Sequence, residues 1–231
     1  MSPDSPTDAG PHELLIFGAG GAGREIAVWA ERATWAGRGF RVLGLISDDD
    51  FGKVVGGREV WTLADAASRH PAAFVLVAVG DPQLRSRLLE LAVRAGLQPS
   101  PPLVHPGVWT ELDADTVRLG EGVVICPGSI VTTNVEIGAH AQINVACTVM
   151  HDCRVGAFST LSPGVHLSGN NVLEPSVFVG TGAVTVHGRP DQPLEIGRGA
   201  VIGAGAVVTG NVAAGATVVG VPAREVRHSS A

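Results

Sequence analysis

From Leu119 onward an aliphatic residue returns at every sixth position: Leu119, Ile125, Val131, Ile137, Ile143, Val149, Val155, Leu161, Leu167, Leu173 and Val179. Four places after each stands a small or medium side chain: Val123, Ser129, Val135, Ala141, Cys147, Cys153, Ser159, Val165, Asn171, Val177 and Ala183. The rhythm stops in TVHGRPDQPLE (185–195) and resumes at Ile196, Ile202 and Val208. A six-residue period with an inward aliphatic predicts a parallel β-helix of hexapeptide repeats, three hexads to a triangular coil. Residues eighteen apart then stack at the ordinary inter-strand spacing of about 4.8 Å. The glycines that follow the aliphatics (Gly138, Gly156, Gly180, Gly197, Gly203), with Asn144, are expected in turns that need positive φ.

The first half has a different pattern. Short apolar runs at ELLIF (13–17), RVLGLI (41–46) and FVLVAVG (74–80) read as buried parallel strands. REIAVWAERATWA (24–36), LADAASRH (63–70) and LRSRLLELAVRAG (84–96) read as the helices between and after them. This alternation predicts a βαβαβα unit, a parallel sheet with helices on both faces, ended by PSPP (99–102). The expected organisation is a tail over 1–11, an α/β domain over 12–102 and a β-helix domain over 103–231 with a loop at 185–195. A Pro-bearing excursion from a rigid prism is an expected place for function. The alternative there is a tolerated insertion.

Composition sharpens this picture. Aromatic residues are 4% of 231 and Tyr is absent, so the core must be built from small and branched side chains, as a stacked architecture allows. A net charge of −6 with no basic run argues against binding nucleic acid or an anionic membrane surface. MSPDSPTDAGP lacks both the basic start and the apolar centre of a signal peptide and reads as a disordered tail. No stretch reaches the ~18 apolar residues of a membrane span. Cys126, Cys147 and Cys153 form no CxxC and fit free thiols in a reducing, cytoplasmic compartment.

The candidate chemistry lies in TVMHDCRVG (148–156). His151 holds the third place of its hexad, between the inward Val149 and Cys153, so its side chain should project outward. The eighteen-residue register puts Thr133 one coil below it, Gly169 one coil above, and His187 in the interruption beyond. A glycine over a histidine leaves a gap and a backbone N–H, which suits a base beside an oxyanion donor. Asp152 could fix the imidazole tautomer or stabilise the imidazolium; otherwise it is a solvated turn carboxylate. Cys153 reads as core. His140, His151 and His166 share neither a coil nor a column. His151 and His187 share a column two coils apart, at roughly 9–10 Å, too far for one Zn²⁺ with ~2 Å bonds, so no metal is expected.

GAGGAG (18–23) has the G-x-G-x-x-G spacing between a strand and a helix. Alone it suggests a dinucleotide, with Asp48 as ribose acceptor. Three strands are too few for both halves of a dinucleotide fold. The remaining alternative is a glycine turn with no ligand.

The two-part layout, the HDC triplet at 151–153, LSPGVHLSG (161–169) and GVPA (220–223) resemble the bacterial sugar acyltransferases of the NeuD/PglD type, over about residues 13–227. These include sialic acid O-acetyltransferases and N-acetyltransferases of UDP- or dTDP-4-amino sugars. The resemblance implies a Rossmann-like N-terminal domain, a left-handed β-helix, and a homotrimer with acetyl-CoA in the groove between neighbouring β-helices. It implies acetyl transfer to the amine of a nucleotide-linked amino sugar. The alternatives are O-acetylation of a sialic acid, acyl transfer in natural-product tailoring, and a nucleotide-binding scaffold without chemistry. By position His151 matches the general base and Asp152 its acidic partner. Ser162 and Gly169 match residues near the thioester, with the Gly169 N–H on the carbonyl oxygen. Many members carry a second histidine where this chain has Thr160, and Thr160 and His187 are expected in the same neighbourhood. Gly18, Gly20, Gly23, Asp48 and Asp49 match the loop and acidic residues that hold the nucleotide.

Overall fold

A computed structural model describes residues 10–110 and 116–226. The expected disordered tail therefore falls, as far as residue 9, outside the described residues. The chain divides into two compact units. One runs to Val79 and resumes over Arg87–Pro106; the other takes Gly80–Ser86 and the chain from Gly107 onward.

The first unit contains β1 (His12–Phe17), α1 (Gly21–Ala30), β2 (Thr34–Trp35), β3 (Arg38–Ile46), β4 (Val54–Val55), β5 (Arg58–Trp61), α2 (Leu63–Arg69) and β6 (Phe74–Val77). Next come α3 (Pro82–Arg94), whose first residues belong to the second unit, then β7 (Gln98–Pro99) and β8 (Leu103–Val104). The parallel strands are ordered β5-β3-β1-β6-β7. Leu14, Leu15 and Ile16 of the central β1 are fully buried, as an uninterrupted apolar run in a covered sheet requires. α1 stops at Ala30, six residues short of the expected end at 36. There Ala36 and Gly37, at φ 49° and 76°, turn the chain so that Thr34–Trp35 pairs antiparallel with Arg38–Gly39. Positive φ at two successive residues is the two-residue hairpin turn, whose twist matches the flanking strands. Gly56 and Gly57 repeat the device and present β5, which the apolar pattern had missed, to the parallel edge of β3.

The second unit is a parallel β-helix with three faces, and its register is eighteen: Thr148 pairs with His166 and Val149 with Leu167. The first face carries Ile130–Val131, Thr148–Val149, His166–Leu167 and Val184–Thr185. The second carries Val117–Leu119, Val135–Ile137, Arg154–Val155, Asn171–Leu173 and Leu194–Ile196. The third carries Val124–Ile125, Gln142–Ile143, Thr160–Leu161, Phe178–Val179 and Val201–Ile202. Every aliphatic from Ile125 to Val179, and every companion from Val123 to Ala183, is at most 2% exposed.

The corners differ from expectation. Positive φ recurs one residue before each companion, through Asn134, His140, Ala146, Asp152, Phe158, Gly164, Asn170 and Ser176, rather than at Gly138, Gly156, Gly180, Gly197, Gly203 or Asn144. Those glycines serve close approach instead. A Cβ on Gly138 would lie 2.6 Å from the Ala157 nitrogen, and one on Gly156 2.4 Å from that of Pro175. The period fixes six columns but not which of them makes the tight bend.

The interruption is compact. Asn171 pairs with Leu194 rather than with Arg189, the residue eighteen positions on. The excess folds into a hairpin in which Arg189 and Gln192 exchange backbone bonds of 2.9 and 3.0 Å. Gly188 N–H donates to Gly169 O, and Leu194 N–H to Asn170 O, each at 3.0 Å, so both ends are pinned to the coil below.

Candidate active site

Residues 150–153 form the corner between the first and second faces of the β-helix. The alternation that buries Val149 and Cys153 turns His151 outward, with its side chain 41% exposed. Its Nδ1 lies 2.7 Å from Asp152 Oδ2. An ionised carboxylate can only accept, so Nδ1 is the donor of this bond, and in the neutral ring the lone pair falls on Nε2. Asp152 itself sits at φ 59°, a left-handed conformation that Asp and Asn tolerate better than most residues. One coil below, in the same left-handed column, Asn134 donates its side-chain amide to Asp152 Oδ1. That bond first, and the His151 bond second, hold the Asp152 carboxyl below its usual range.

Gly169 stands over His151. A Cβ there would lie 2.6 Å from His151 Nε2 and 2.7 Å from His187 Cε1, so both imidazoles border the notch that glycine leaves. The two rings are 5.1 Å apart, tilted by 53°. This replaces the expected 9–10 Å. Two coils separate the backbones, but without a side chain at Gly169 the rings lean into the gap. The Gly169 carbonyl is taken by Gly188 N–H and by Asn171 Nδ2, each at 3.0 Å. Among the described residues its own N–H has no acceptor. His187 Nε2 lies 3.4 Å from the amide nitrogen of Asn170. Beside this cluster opens a groove of about 410 Å³ lined by Arg118, Asn134, Glu136, Asp152, Arg154 and Pro190. No three His, Cys, Asp or Glu side chains gather as a metal set among the described residues.

Cys153 is fully buried, and its thiol donates to Ser168 O at 3.1 Å. Burial pushes that thiol up to about 11, which keeps it from being a nucleophile at neutral pH.

Thr160 and Ser162 do not join the cluster. Thr160 is on the third face and 2% exposed; its hydroxyl donates to Gly80 O at 2.7 Å and accepts from Arg85 Nη1 at 3.0 Å. Ser162, 9% exposed, follows it at the corner between the third and first faces. Arg85 was not singled out in the sequence, where it looks like one of several arginines on an amphipathic helix. It is 1% exposed and donates to the carbonyls of His140 (3.0 Å), Phe158 (2.6 Å) and Ser159 (3.1 Å). Burial pulls its guanidinium down to about 10, still charged at neutral pH.

In the first unit the glycines of GAGGAG divide their work. Gly18 ends β1 at φ 125°, its N–H on Ile46 O at 2.9 Å. Gly23 allows α1 to pack, since a Cβ there would fall 1.9 Å from Gly18 O. At Gly20 and Gly21 a Cβ would meet nothing within 4 Å, so the start of α1 faces open space. Asp48 and Asp49 are exposed beyond the end of β3. The strand order reverses between β1 and β6, so this loop lies at the switch point where open α/β sheets bind ligands.

The PglD N-terminal domain family matches residues 13–92. A GDP-perosamine N-acetyltransferase of Escherichia coli O157:H7 is 36% identical over 216 residues, 93% of this chain and 96% of that protein. The acetyltransferase domain of PglB from Neisseria gonorrhoeae FA1090, in complex with acetyl coenzyme A, superposes with a TM-score of 0.81 at 31% identity, covering 94% of this chain and all of that one. PerB from Caulobacter crescentus, in complex with CoA and GDP-perosamine, gives 0.80 at 28% identity, covering 97% of this chain and 100% of that one. With this similarity running through both units, the chain belongs to the bacterial sugar acyltransferases of the NeuD/PglD type.

Proposed function

We propose that this protein moves the acetyl group of acetyl-CoA onto the amine of a nucleotide-linked amino sugar, GDP-perosamine or a close relative. The observation that carries this is the 36% identity to a GDP-perosamine N-acetyltransferase along almost the whole chain. The complexes of PglB with acetyl coenzyme A and of PerB with CoA and GDP-perosamine support it for both substrates.

His151 Nε2, left with its lone pair by the bond from Nδ1 to Asp152, takes the proton from the attacking nitrogen. The Gly169 N–H meets the oxyanion as the nitrogen adds to the thioester carbonyl, and the C–S bond then breaks to release CoA. In the first unit, a Rossmann-like half-fold, Gly18, Gly20 and Gly23 shape the loop for a phosphate at the start of α1. Asp48, helped by Asp49, receives the nucleoside. The β-helix is left-handed and assembles as a cytoplasmic trimer with acetyl-CoA in the groove between copies, where Ser162 of a neighbour adjoins the thioester. The first face supplies an apolar surface for that packing: Trp109 is 57% exposed, Ile130 39% and Val186 37%.

Thiol release from acetyl-CoA tests this with GDP-perosamine, a panel of UDP- and dTDP-amino sugars, and sialic acid as acceptors. The expected result is turnover of an amino sugar that drops by about 10²–10⁴ in kcat in His151→Ala. Turnover of sialic acid alone would replace the reading with O-acetylation. No turnover of any acceptor would leave a scaffold.

A further inference from the structure

The Pro-bearing interruption has a use that the chemistry at His151 leaves unassigned. Leu194, where the second face resumes, stands five places beyond Arg189, the regular partner of Asn171. Those five residues, 189–193, are the whole excess over a regular coil, and the two ends of the excess adjoin. A Cβ on Gly188 would lie 2.6 Å from the Leu194 nitrogen. Two prolines with fixed φ and the paired Arg189–Gln192 backbone bonds stiffen the excursion. Pro190 and Pro193 both line the groove of about 410 Å³ that also takes in Asp152, the partner of His151. A stiff wall beside the base is placed to shape what the base can reach.

The floor of the groove is one outward column of the second face. Arg118, Glu136 and Arg154 pair in register on successive coils, and Val172 follows. Arg154 Nε is 4.0 Å from Glu136 Oε2, an ion contact too long for a hydrogen bond. Donors and acceptors side by side suit the neighbouring hydroxyls of a sugar ring, while Val172 and the proline rings suit its C–H edge. Acetyl-CoA fits the opposite side. Its carbonyl must reach the Gly169 N–H, one coil above His151, whereas the charged floor runs from the coil of His151 down through two more. The pantetheine arm carries no charge and offers such a row only amides and one hydroxyl.

We propose that this groove seats the sugar ring of the acceptor, with Glu136 and Arg154 reading its hydroxyls and the excursion at 189–193 walling it on one side. This rests on the N-acetyltransferase reading above. The amine of the seated ring projects past Asp152 to His151 Nε2. Contacts to the non-reacting hydroxyls are the same before and during acetyl transfer, so they set KM and the choice of sugar rather than kcat.

The test compares the wild type with Glu136→Gln, Arg154→Gln and a chain lacking residues 189–193, in which Leu194 becomes the eighteen-residue partner of Asn171. The acceptors are GDP-perosamine and its epimers, GDP-linked amino sugars that each differ from it at one ring hydroxyl, so that only the ring is read. Both substitutions should raise KM for GDP-perosamine about ten-fold, with kcat and KM for acetyl-CoA within about two-fold of the wild type. The shortened chain should lose about ten-fold of its preference for GDP-perosamine over the epimers. An unchanged KM for GDP-perosamine in both substitutions overturns the proposal. So does a raised KM for acetyl-CoA alone, which gives the groove to CoA, and so does an equal loss on every acceptor, which means a structural role. Thermal midpoints report whether the shortened chain folds; if it does not, the two exposed substitutions decide. A wild type that acetylates no amino sugar overturns the N-acetyltransferase reading itself, a result distinct from the others.

Discussion

Asn134 donates its side-chain amide to the carboxylate of Asp152 from one coil below, so the residue that orients His151 is itself held from behind. The two stand in one left-handed column, at φ 55° and 59°. Asn134→Gly keeps a residue content with that backbone and removes only the donor. We expect kcat to fall about ten-fold, the worth of roughly 1.4 kcal/mol of lost orientation, with KM for acetyl-CoA unchanged. Steady-state kinetics against both substrates checks this. An unaltered kcat would show that the Asp152 carboxylate needs no support.

Gly169→Ala should disable the site without unfolding the prism. Its added Cβ would fall 2.6 Å from His151 Nε2, and the imidazole must swing away because the glycine's neighbours are fixed backbone. Displacement of a base by about 1 Å costs on the order of 10²-fold. The thermal midpoint should stay near that of the wild type, since the corner projects outward. Normal turnover in this variant would remove the notch from the mechanism.

Thr160 and Arg85 should separate stability from catalysis. Thr160→Val strips a buried hydroxyl from Gly80 O and Arg85, at a cost of about 1–3 kcal/mol. Arg85→Met strands the carbonyls of His140 and Phe158, while Ser159 O keeps the Gln142 N–H, and should cost about 3 kcal/mol or more. Urea midpoints measure both. A Thr160→Val protein as stable as wild type but catalytically dead would return Thr160 to the chemistry.

His140 predicts acid sensitivity. Its ring is buried against Phe158 at 5.0 Å, and that burial lowers its pKa from 6.5, against the opposing pull of Glu121. Above pH 6.5 the ring is neutral in folded and unfolded chains alike. As pH falls below that value the unfolded chain takes up a proton that the folded one resists, and stability declines. His12 and His105, also lowered by burial, act in the same direction. The thermal midpoint should drop between pH 7 and pH 5, and His140→Asn, which suits the left-handed backbone, should make the slope shallower. A slope identical in the variant would clear His140 of the effect.

The hexad series made most of the second unit legible, because a buried aliphatic every sixth residue leaves only one way to stack coils. Adding eighteen to 151 named Gly169 and then His187 without any structure. What the period could not carry was distance between side chains, which is why His151 and His187 were placed too far apart. Nor could it name the bend: Asn134, Ala146, Asp152 and Phe158 occupy equivalent left-handed corners, and their identities share nothing. In the first unit, helical spacing ran past Ala30 because Ala36-Gly37 is an unremarked turn, and Arg85 kept its secret because its carbonyl partners lie in another part of the chain.

Arg85 and Thr160 are 75 residues apart, and this sets a clock on the growing chain. A ribosome adding about 5–20 residues each second needs roughly 4–15 s to travel that far. Throughout that wait the guanidinium remains in water, and Gly80–Ser86 lacks the coils it packs against. Slower translation between codons 86 and 160 would prolong this half-made state without changing a single side chain.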